Sequence, residues 1–354
     1  MTKRIYTGAV VGGGAGGKLS MTGLTRSDRY QLVAACDLRP DVCAALEQQF
    51  PGIKTYPDHH AMLRESPTDV VCVSTFPPSH EEVTLAALQL PLSGIVVEKP
   101  LGDTAASGRR ILEAVKVKGI PMGVPHGLLV RRHAREVIER VHAGEIGELK
   151  LVEIQCRGWD IINAGIHWLN FFVVLTQGDP PVEVLAIADK STRTWRDGMQ
   201  VETLAVTSAQ TASGVRVILH TGDTLAVNAE GRQFCFRLVG TLGMIEFWGW
   251  APGYRIVNGA NPDGLLVEPD EGIAPAHQLH LDNLAQQMDE GRVDYSIPES
   301  SLIALELCEG AYQSSREGRA LRLPLASNPP PLANDWNPGL PYSGTGGGRD
   351  GRKL

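Results

Sequence analysis

A glycine-rich turn near the N-terminus constrains the fold of this chain more than any other feature. Gly12, Gly14 and Gly17 form a G-x-G-x-x-G pattern that follows the apolar run 5–11 and precedes a helical segment. Asp37 comes 20 residues after Gly17, at the end of the next apolar run. This order of strand, glycine turn, helix and acidic residue is typical of a dinucleotide-binding βαβ unit. The pattern predicts a parallel α/β domain with a nucleotide at the N-terminus of its first helix.

The residue types in this unit favour one nicotinamide cofactor. Gly12 permits the tight turn, Gly14 lets a pyrophosphate approach the backbone, and Gly17 lets the helix pack on the strand. Asp37 can accept both ribose hydroxyls and repels a 2′-phosphate, which favours NAD. Arg39 can pair with a 2′-phosphate, so NADP stays open, as does a glycine turn that binds no ligand. Two further residues at the start of the helix complete the predicted phosphate site: Ala15 and Gly16.

Strand and helix patterns divide the chain into three segments. Residues 1–123 alternate apolar strands with helices, which predicts a doubly wound parallel sheet. Residues 124–322 contain longer strands separated by Gly, Asn and Asp, which predicts an α+β domain with an antiparallel sheet. Residues 323–354 are rich in Pro and Gly, and predict either a disordered tail or an arm that contacts a neighbouring subunit. The predicted fold class is therefore α/β in the first segment followed by a second, mainly antiparallel domain.

Composition excludes several classes of function. The chain has 33 Lys and Arg residues against 40 Asp and Glu, a net charge of −7, which argues against a nucleic-acid partner. Its most apolar run, residues 166–175, is about half the length that spans a bilayer. We therefore expect a cytoplasmic protein without a membrane segment. No cysteine pair has metal-ligand spacing, and we expect no metal, although histidine pairs at 59–60 and at 277 and 280 are alternatives.

Motifs along the chain resemble those of the Gfo/Idh/MocA family of sugar and cyclitol oxidoreductases. The resemblance begins with the glycine turn and Asp37, and continues with Thr75, Pro77 and His80 after the next strand. It includes the Glu98-Lys99-Pro100 motif and, downstream, the segments 144–148, 163–167 and 240–243. The match covers residues 4–322 in the family's order.

The resemblance implies a Rossmann domain followed by an α/β domain whose open sheet packs against a second subunit, as a homodimer or homotetramer. It implies that Lys99, beside a cis bond to Pro100, hydrogen-bonds the reacting hydroxyl and that His167 is the acid/base residue. It also extends the cofactor site to residues that follow later strands: Thr75, Pro77, His80, Glu98 and Lys99. The substrate it implies is a small carbohydrate or cyclitol.

Both catalytic assignments agree with the chemistry of alcohol oxidation. The reaction needs a base for the hydroxyl proton, and a histidine titrates in the useful range. A buried ammonium can stabilise a developing alkoxide. The alternatives are an ion pair between Lys99 and Glu98, and a core or capping role for His167 on an apolar helix. The family motifs favour the catalytic roles of Lys99 and His167 over these alternatives.

Residues just before His167 are candidate substrate ligands. Asn163 stands where the family often has Asp, so we expect the pKa of His167 to be about 1 unit lower than beside a carboxylate, or about 1.4 kcal/mol. Trp159 and Asp160 suit a sugar face and its hydroxyls, although a packing role for Trp159 is equally consistent with the sequence. Trp248 and Trp250 alternate on a predicted strand and are expected to share one face.

The sequence is consistent with three functions. The first is an NAD-dependent dehydrogenase of a sugar, sugar derivative or cyclitol. The second is a redox-neutral glycosidase that forms a transient keto-sugar and returns the hydride. The third is a non-catalytic sensor of sugar or nucleotide, which the presence of both Lys99 and His167 disfavours.

Overall fold

The computed structural model describes residues 4–189, 193–197, 199–227 and 232–326. Contacts divide the chain into an N-terminal unit, residues 1–127 with 273–302, and a C-terminal unit, residues 128–272 with 303–354. The predicted boundary at 123 is close to the first division, whereas residues 273–302, predicted in the second domain, group by contacts with the N-terminal unit. Residues 327–354 of the predicted tail or arm lie outside the described residues.

The N-terminal unit contains a six-stranded parallel sheet in the order β3-β2-β1-β4-β5-β6. This order is that of a doubly wound dinucleotide-binding domain, so the predicted fold class of this segment is confirmed. Its elements are β1 Tyr6–Val11, α1 Ala15–Arg26, β2 Tyr30–Cys36, α2 Pro40–Gln49, β3 Lys54–Tyr56, α3 His59–Glu65, β4 Val70–Val73, α4 His80–Ala87, β5 Gly94–Val97, α5 Ala105–Lys118 and β6 Met122–Gly123.

Helix α8, Ala276–Glu290, returns to this unit although it follows the second sheet in the sequence. Leu281, Leu284 and Ala285 occupy one helical face and lie in the same buried cluster as Met21 and Val96. The helix therefore covers the parallel sheet, because its apolar face is matched to that core. The sequence pattern predicted this helix in the second domain, because it follows the second sheet along the chain.

The C-terminal unit is built on a nine-stranded sheet in the order β16-β15-β14-β13-β7-β12-β11-β8-β17. Its neighbouring strands pair antiparallel, as predicted, except that β12 pairs parallel with β7. The bounds are α6 Arg132–His142, β7 Leu149–Arg157, α7 Ile166–Leu175, β8 Pro181–Ala188, β9 Arg193–Arg196, β10 Met199–Glu202, β11 Leu204–Thr211, β12 Arg216–Gly222, β13 Phe234–Gly240, β14 Gly243–Trp248, β15 Ala251–Asn258, β16 Asn261–Val267 and β17 Leu321–Arg322. Helix α9, Ser296–Glu317, begins in the N-terminal unit and ends in this one.

Aromatic residues join α7 to one face of this sheet. The ring centroids of Phe171 and Phe236 are 5.8 Å apart, and those of Phe236 and Phe247 are 4.3 Å apart. Nearly every residue of α7 is buried, so this helix is held by packing on all sides. No helix in the described part of the chain is both long and apolar enough to cross a membrane.

Candidate active site

The glycine turn between β1 and α1 has the backbone geometry that requires glycine. Gly12 has a φ of +105°, and a Cβ added there would lie 2.3 Å from the carbonyl oxygen of Ser74. A Cβ on Gly17 would lie 1.7 Å from the carbonyl oxygen of Gly12. A Cβ on Gly14 would meet nothing within 4 Å. The turn is therefore closed on its protein side and open at Gly14, where a phosphate can approach the helix N-terminus.

Asp37 lies directly beside this turn at the carboxyl end of β2. Its Oδ2 accepts a hydrogen bond of 2.9 Å from the backbone N–H of Gly13, and its Oδ1 accepts one of 3.0 Å from that of Arg39. The Arg39 side chain also pairs with Asp37, at 3.4 Å from Nε to Oδ1. A carboxylate can accept about four hydrogen bonds, so Asp37 retains capacity for a further donor such as a ribose hydroxyl.

His80 connects the ends of two parallel strands. Its ring is fully buried, with Nε2 at 3.0 Å from the carbonyl oxygen of Thr75 and Nδ1 at 3.0 Å from that of Pro100. Burial lowers the pKa of His80. Pro77 begins a short 3₁₀ turn before α4, and Ser79 donates to the Phe76 carbonyl. Both ring nitrogens of His80 therefore contact backbone carbonyl oxygens. This predicted cofactor residue thus positions the backbone between the two strand ends.

The Glu98-Lys99-Pro100 segment follows β5, and its Lys99-Pro100 peptide is cis, as the resemblance implied. The Glu98 carboxylate accepts a bond of 2.7 Å from Nε2 of His277 and one of 3.3 Å from the backbone N–H of Lys99. The Lys99 side chain is half-buried. Glu98 therefore has a strong ionic partner on α8 that the sequence did not indicate.

In the C-terminal unit, the turn before α7 is formed around Asp160. Residues Ile161–Gly165 form one π-helical turn, and the backbone N–H of Gly165 donates to the Asp160 carbonyl at 3.0 Å. Oδ1 of Asp160 caps the turn by accepting from the backbone N–H groups of Ile162 and Asn163, at 3.1 and 2.8 Å. Such π turns occur frequently at functional sites.

Asp160 belongs to a buried ionic network. Its Oδ2 pairs with Arg196 at 2.7 Å, and a second guanidinium nitrogen of Arg196 pairs with Asp223 at 2.7 Å. The side-chain amide of Asn163 donates to both Asp160 oxygens, at 3.0 and 3.1 Å. Asp160 is only 1% exposed. Its observed contacts are therefore structural, and its predicted contact with substrate receives no support from them.

Glu202 supports the same turn from β10. It accepts bonds from the backbone N–H of Ile161 at 2.8 Å and from the Tyr312 hydroxyl at 2.8 Å. Burial, together with the nearby Asp160 charge, raises the pKa of Glu202 to about 7. The turn that precedes His167 is thus held by acidic side chains on both sides.

His167 lies in the first turn of α7 and is 9% exposed. The edge of its ring meets Trp250 with centroids 5.2 Å apart. Trp250 lies in the turn between β14 and β15, whereas Trp248 ends β14 and stacks under Arg232 at 3.6 Å. The expectation that both tryptophans alternate on one strand is wrong, because the strand ends at Trp248.

Trp159 packs against an arginine within its own unit. The guanidinium carbon of Arg196 lies 5.7 Å from the centre of the Trp159 ring. A packing role was the alternative to sugar stacking, and the structure provides a partner for it. The ring is half-buried, so contact with substrate remains a prediction.

The predicted site residues fall into two groups, one in each unit. The N-terminal group comprises the predicted cofactor residues and Lys99; the C-terminal group comprises Trp159, Asp160, Asn163 and His167. That Lys99 and His167 act on one hydroxyl remains a prediction. Sequence reasoning missed two supporting residues, Arg196 and Glu202, and considered Trp250 and His277 only in other roles. Each lies far along the chain from its partner, and no local pattern indicates it.

The histidine pairs named as alternative metal ligands differ in their surroundings. Ligand atoms of His59, His60 and Glu82 lie within 4.8 Å of one another near the surface. His277 is bonded to Glu98, and His280 is buried.

Known proteins support the identity of the N-terminal unit. A family model described as an oxidoreductase family with an NAD-binding Rossmann fold, Gfo/Idh/MocA, matches residues 7–126. An inositol 2-dehydrogenase from Pseudomonas fluorescens is 24% identical over 315 residues, 84% of this chain and 90% of its own. Another from Salmonella paratyphi B is 31% identical over 126 residues, which is only 37% of its length.

A solved structure shares the fold of both units. An oxidoreductase from Agrobacterium radiobacter, determined in complex with NAD+, L-tartaric acid and magnesium, aligns with a TM-score of 0.75 at 18% identity. The alignment covers 90% of this chain and 98% of the other. The resemblance predicted from the motifs is confirmed, and so is the NAD-binding domain.

Proposed function

Because residues 7–126 match the model of the Gfo/Idh/MocA family of NAD-binding oxidoreductases, we propose that the chain oxidises a secondary hydroxyl of a cyclitol or sugar. The named relatives act on inositol, which makes cyclitols the first substrates to test. The observation that carries the proposal is the combination of the open glycine turn, Asp37 and the Glu98-Lys99 segment at the carboxyl ends of parallel strands. These residues fit NAD, because the turn leaves room for phosphate and Asp37 faces the neighbouring turn.

The protein's own groups have distinct tasks in this proposal. Gly12, Gly14 and the first turn of α1 hold the phosphates, and Asp37 binds the ribose. Bound NAD+ supplies the acceptor for the hydride that leaves the carbinol carbon. Lys99 donates a hydrogen bond to the substrate oxygen and stabilises the charge that develops on it. His167 accepts the hydroxyl proton at a ring nitrogen.

We also propose that the protein forms a homo-oligomer through the outer face of its large sheet. Leu185, Ile187, Leu204 and Val206 are between 42% and 75% exposed on neighbouring strands β8 and β11. Exposed apolar patches of this kind mark association surfaces. A second copy of the chain would cover them.

The activity is tested with Lys99→Ala, using Lys54→Ala as a control on the surface of the same unit. Purified proteins are incubated with NAD+ and a panel of inositols, sugars and glycosides, while NADH and released sugar are followed together. We expect NADH to form without sugar release, and Lys99→Ala to lower kcat about 10²- to 10⁴-fold while NAD+ affinity is retained. Full activity of Lys99→Ala would refute the proposal, and sugar release without net NADH would identify a redox-neutral glycosidase instead.

A further inference from the structure

We propose that His277 is a positioning residue of the dinucleotide site, whose imidazolium neutralises the Glu98 carboxylate beneath the glycine turn and thereby sets the affinity for NAD. The inference rests on the proposed function, since it assumes the cofactor site at this turn. His277 is distant in sequence from every family motif and comes from a helix that returns to this unit.

The Glu98 carboxylate lies close to the first turn of α1. A Cβ built on Gly16 would be 3.4 Å from Cγ, Cδ and Oε1 of Glu98. Gly16 is in the first turn of α1, whose N–H groups are the predicted phosphate donors. Glu98 is 7% exposed, so little water screens its charge. A carboxylate at this position would repel a pyrophosphate unless its charge were compensated.

The Glu98 carboxylate has a partner in the side chain of His277. Nε2 of His277 lies 2.7 Å from Oε1 of Glu98, and the two side chains are 13% and 10% exposed. Buried charges require partners of this kind. His277 lies in the first turn of α8, where the helix dipole disfavours a cation. The Glu98 carboxylate therefore provides the compensation for this side chain that its own helix does not.

The remaining titratable groups near Glu98 do not replace His277. Burial lowers the pKa of His80 on α4 and lowers that of His280 on α8 to about 4, so both rings are neutral near pH 7. Burial raises the pKa of the Cys72 thiol on β4, which stays protonated. Lys99 acts on Glu98 through its charge, whereas His277 acts on it through both its charge and a side-chain hydrogen bond. Burial raises the pKa of Glu98, but His277, followed by Lys99, opposes this effect and the net shift is downward.

The experiment measures NAD+ binding by isothermal titration calorimetry between about pH 5.5 and 8.5. Four proteins are compared: wild type, His277→Gln, the double variant His277→Gln with Glu98→Gln, and His60→Gln as a surface control. A fall in wild-type affinity with rising pH would show that an imidazolium supplies the compensation. His277→Gln should bind on the order of tenfold more weakly at low pH, without this pH dependence. The double variant should regain most of the loss.

The outcomes separate the inference from the function on which it rests. Wild-type binding with an unchanged affinity and pH profile in His277→Gln would overturn the inference alone. Failure of the double variant to regain affinity, with thermal unfolding like that of wild type, would also overturn it, because charge would then not be the cause. No binding of NAD+ by wild type at any pH would overturn the proposed function as well.

Discussion

Asn163 shows why the surroundings of a residue matter as much as its type. From sequence, an asparagine one turn before His167 was expected to deprive the imidazole of a nearby negative charge. The structure supplies a carboxylate directly behind it, since both oxygens of Asp160 bond to the Asn163 amide. Asn163 therefore stands next to a buried charge that an aspartate at the same position would repel.

This arrangement predicts the effect of Asn163→Asp. Two adjacent buried carboxylates cannot both ionise at low cost, so the pKa of the new group should be raised in the folded state. The variant should lose about 1–3 kcal/mol of unfolding free energy at neutral pH. The deficit should shrink as pH falls toward the unfolded pKa of about 4, where both states bind the proton.

Urea unfolding of Asn163→Asp and wild type at several pH values checks this prediction, and NMR titration of His167 in both proteins tests the sequence-based expectation of a higher pKa beside aspartate. A stability deficit that did not depend on pH would contradict the predicted rise in the pKa of the introduced carboxyl group. Equal His167 pKa values would refute the expectation that residue 163 tunes the base.

At the scale of elements, the turn between β1 and α1 separates folding from binding. Gly17→Ala places a methyl group against the Gly12 carbonyl, whereas Gly14→Ala places one in open space. Gly17→Ala should therefore destabilise the protein by several kcal/mol. Gly14→Ala should unfold like wild type, yet bind NAD+ at least about tenfold more weakly because the pyrophosphate meets the new methyl group.

Thermal unfolding and calorimetric titration of the two glycine variants provide the comparison. The account would be contradicted if Gly14→Ala bound NAD+ as wild type does. Equal stability of Gly17→Ala and wild type would likewise show that the turn is not as closely packed as described.

The π turn before α7 carries a pH dependence through Glu202. Its folded-state pKa, about 7, lies above the ordinary value of 4.5. The protonated side chain is therefore favoured by folding, and stability is lost as pH rises from about 4.5 through 7. Relative to Glu202→Gln, wild type should lose on the order of 3 kcal/mol across this window. Chemical denaturation at each pH measures it, with exposed Glu139→Gln as control; parallel stability curves of wild type and Glu202→Gln would exclude this role.

Local patterns predicted elements better than they predicted contacts between elements. The glycine turn and the helix that follows it were predicted from one motif. The sequence Ser79-x-x-Glu82 fits a capping box, but Ser79 does not cap α4, because a 3₁₀ turn precedes the helix and the Ser79 hydroxyl donates to the Phe76 carbonyl instead. The short strands β9 and β10 were missed, since their residues lack a clear apolar alternation.

At the scale of the whole molecule, the sequence could not indicate which segment completes which unit. The pairing of His277 with Glu98 spans 179 residues, and the parallel pairing of β12 with β7 joins strands separated by α7 and four strands. Such contacts depend on tertiary packing, for which neither spacing nor composition provides a signal. The family motifs nevertheless identified the segments on which the candidate site is built.

The outer face of the large sheet predicts how assembly can be disrupted. Ile187 is 75% exposed on β8, so Ile187→Lys should leave each subunit folded but place a charge within the proposed interface. Sedimentation velocity should show a shift toward monomer. Val117→Lys, at a position that is 90% exposed on α5, should leave assembly unchanged. Retention of the oligomer by Ile187→Lys would place the interface elsewhere.

The most direct test of the central claim is a crystal structure with NAD+ and an oxidisable polyol identified in the substrate panel. The account predicts that Nζ of Lys99 and a ring nitrogen of His167 both lie about 2.6–3.2 Å from one hydroxyl oxygen. The carbon bearing that hydroxyl should face the nicotinamide. A complex in which the two side chains contact different oxygens, or in which the dinucleotide lies away from Gly12 and Gly14, would contradict it.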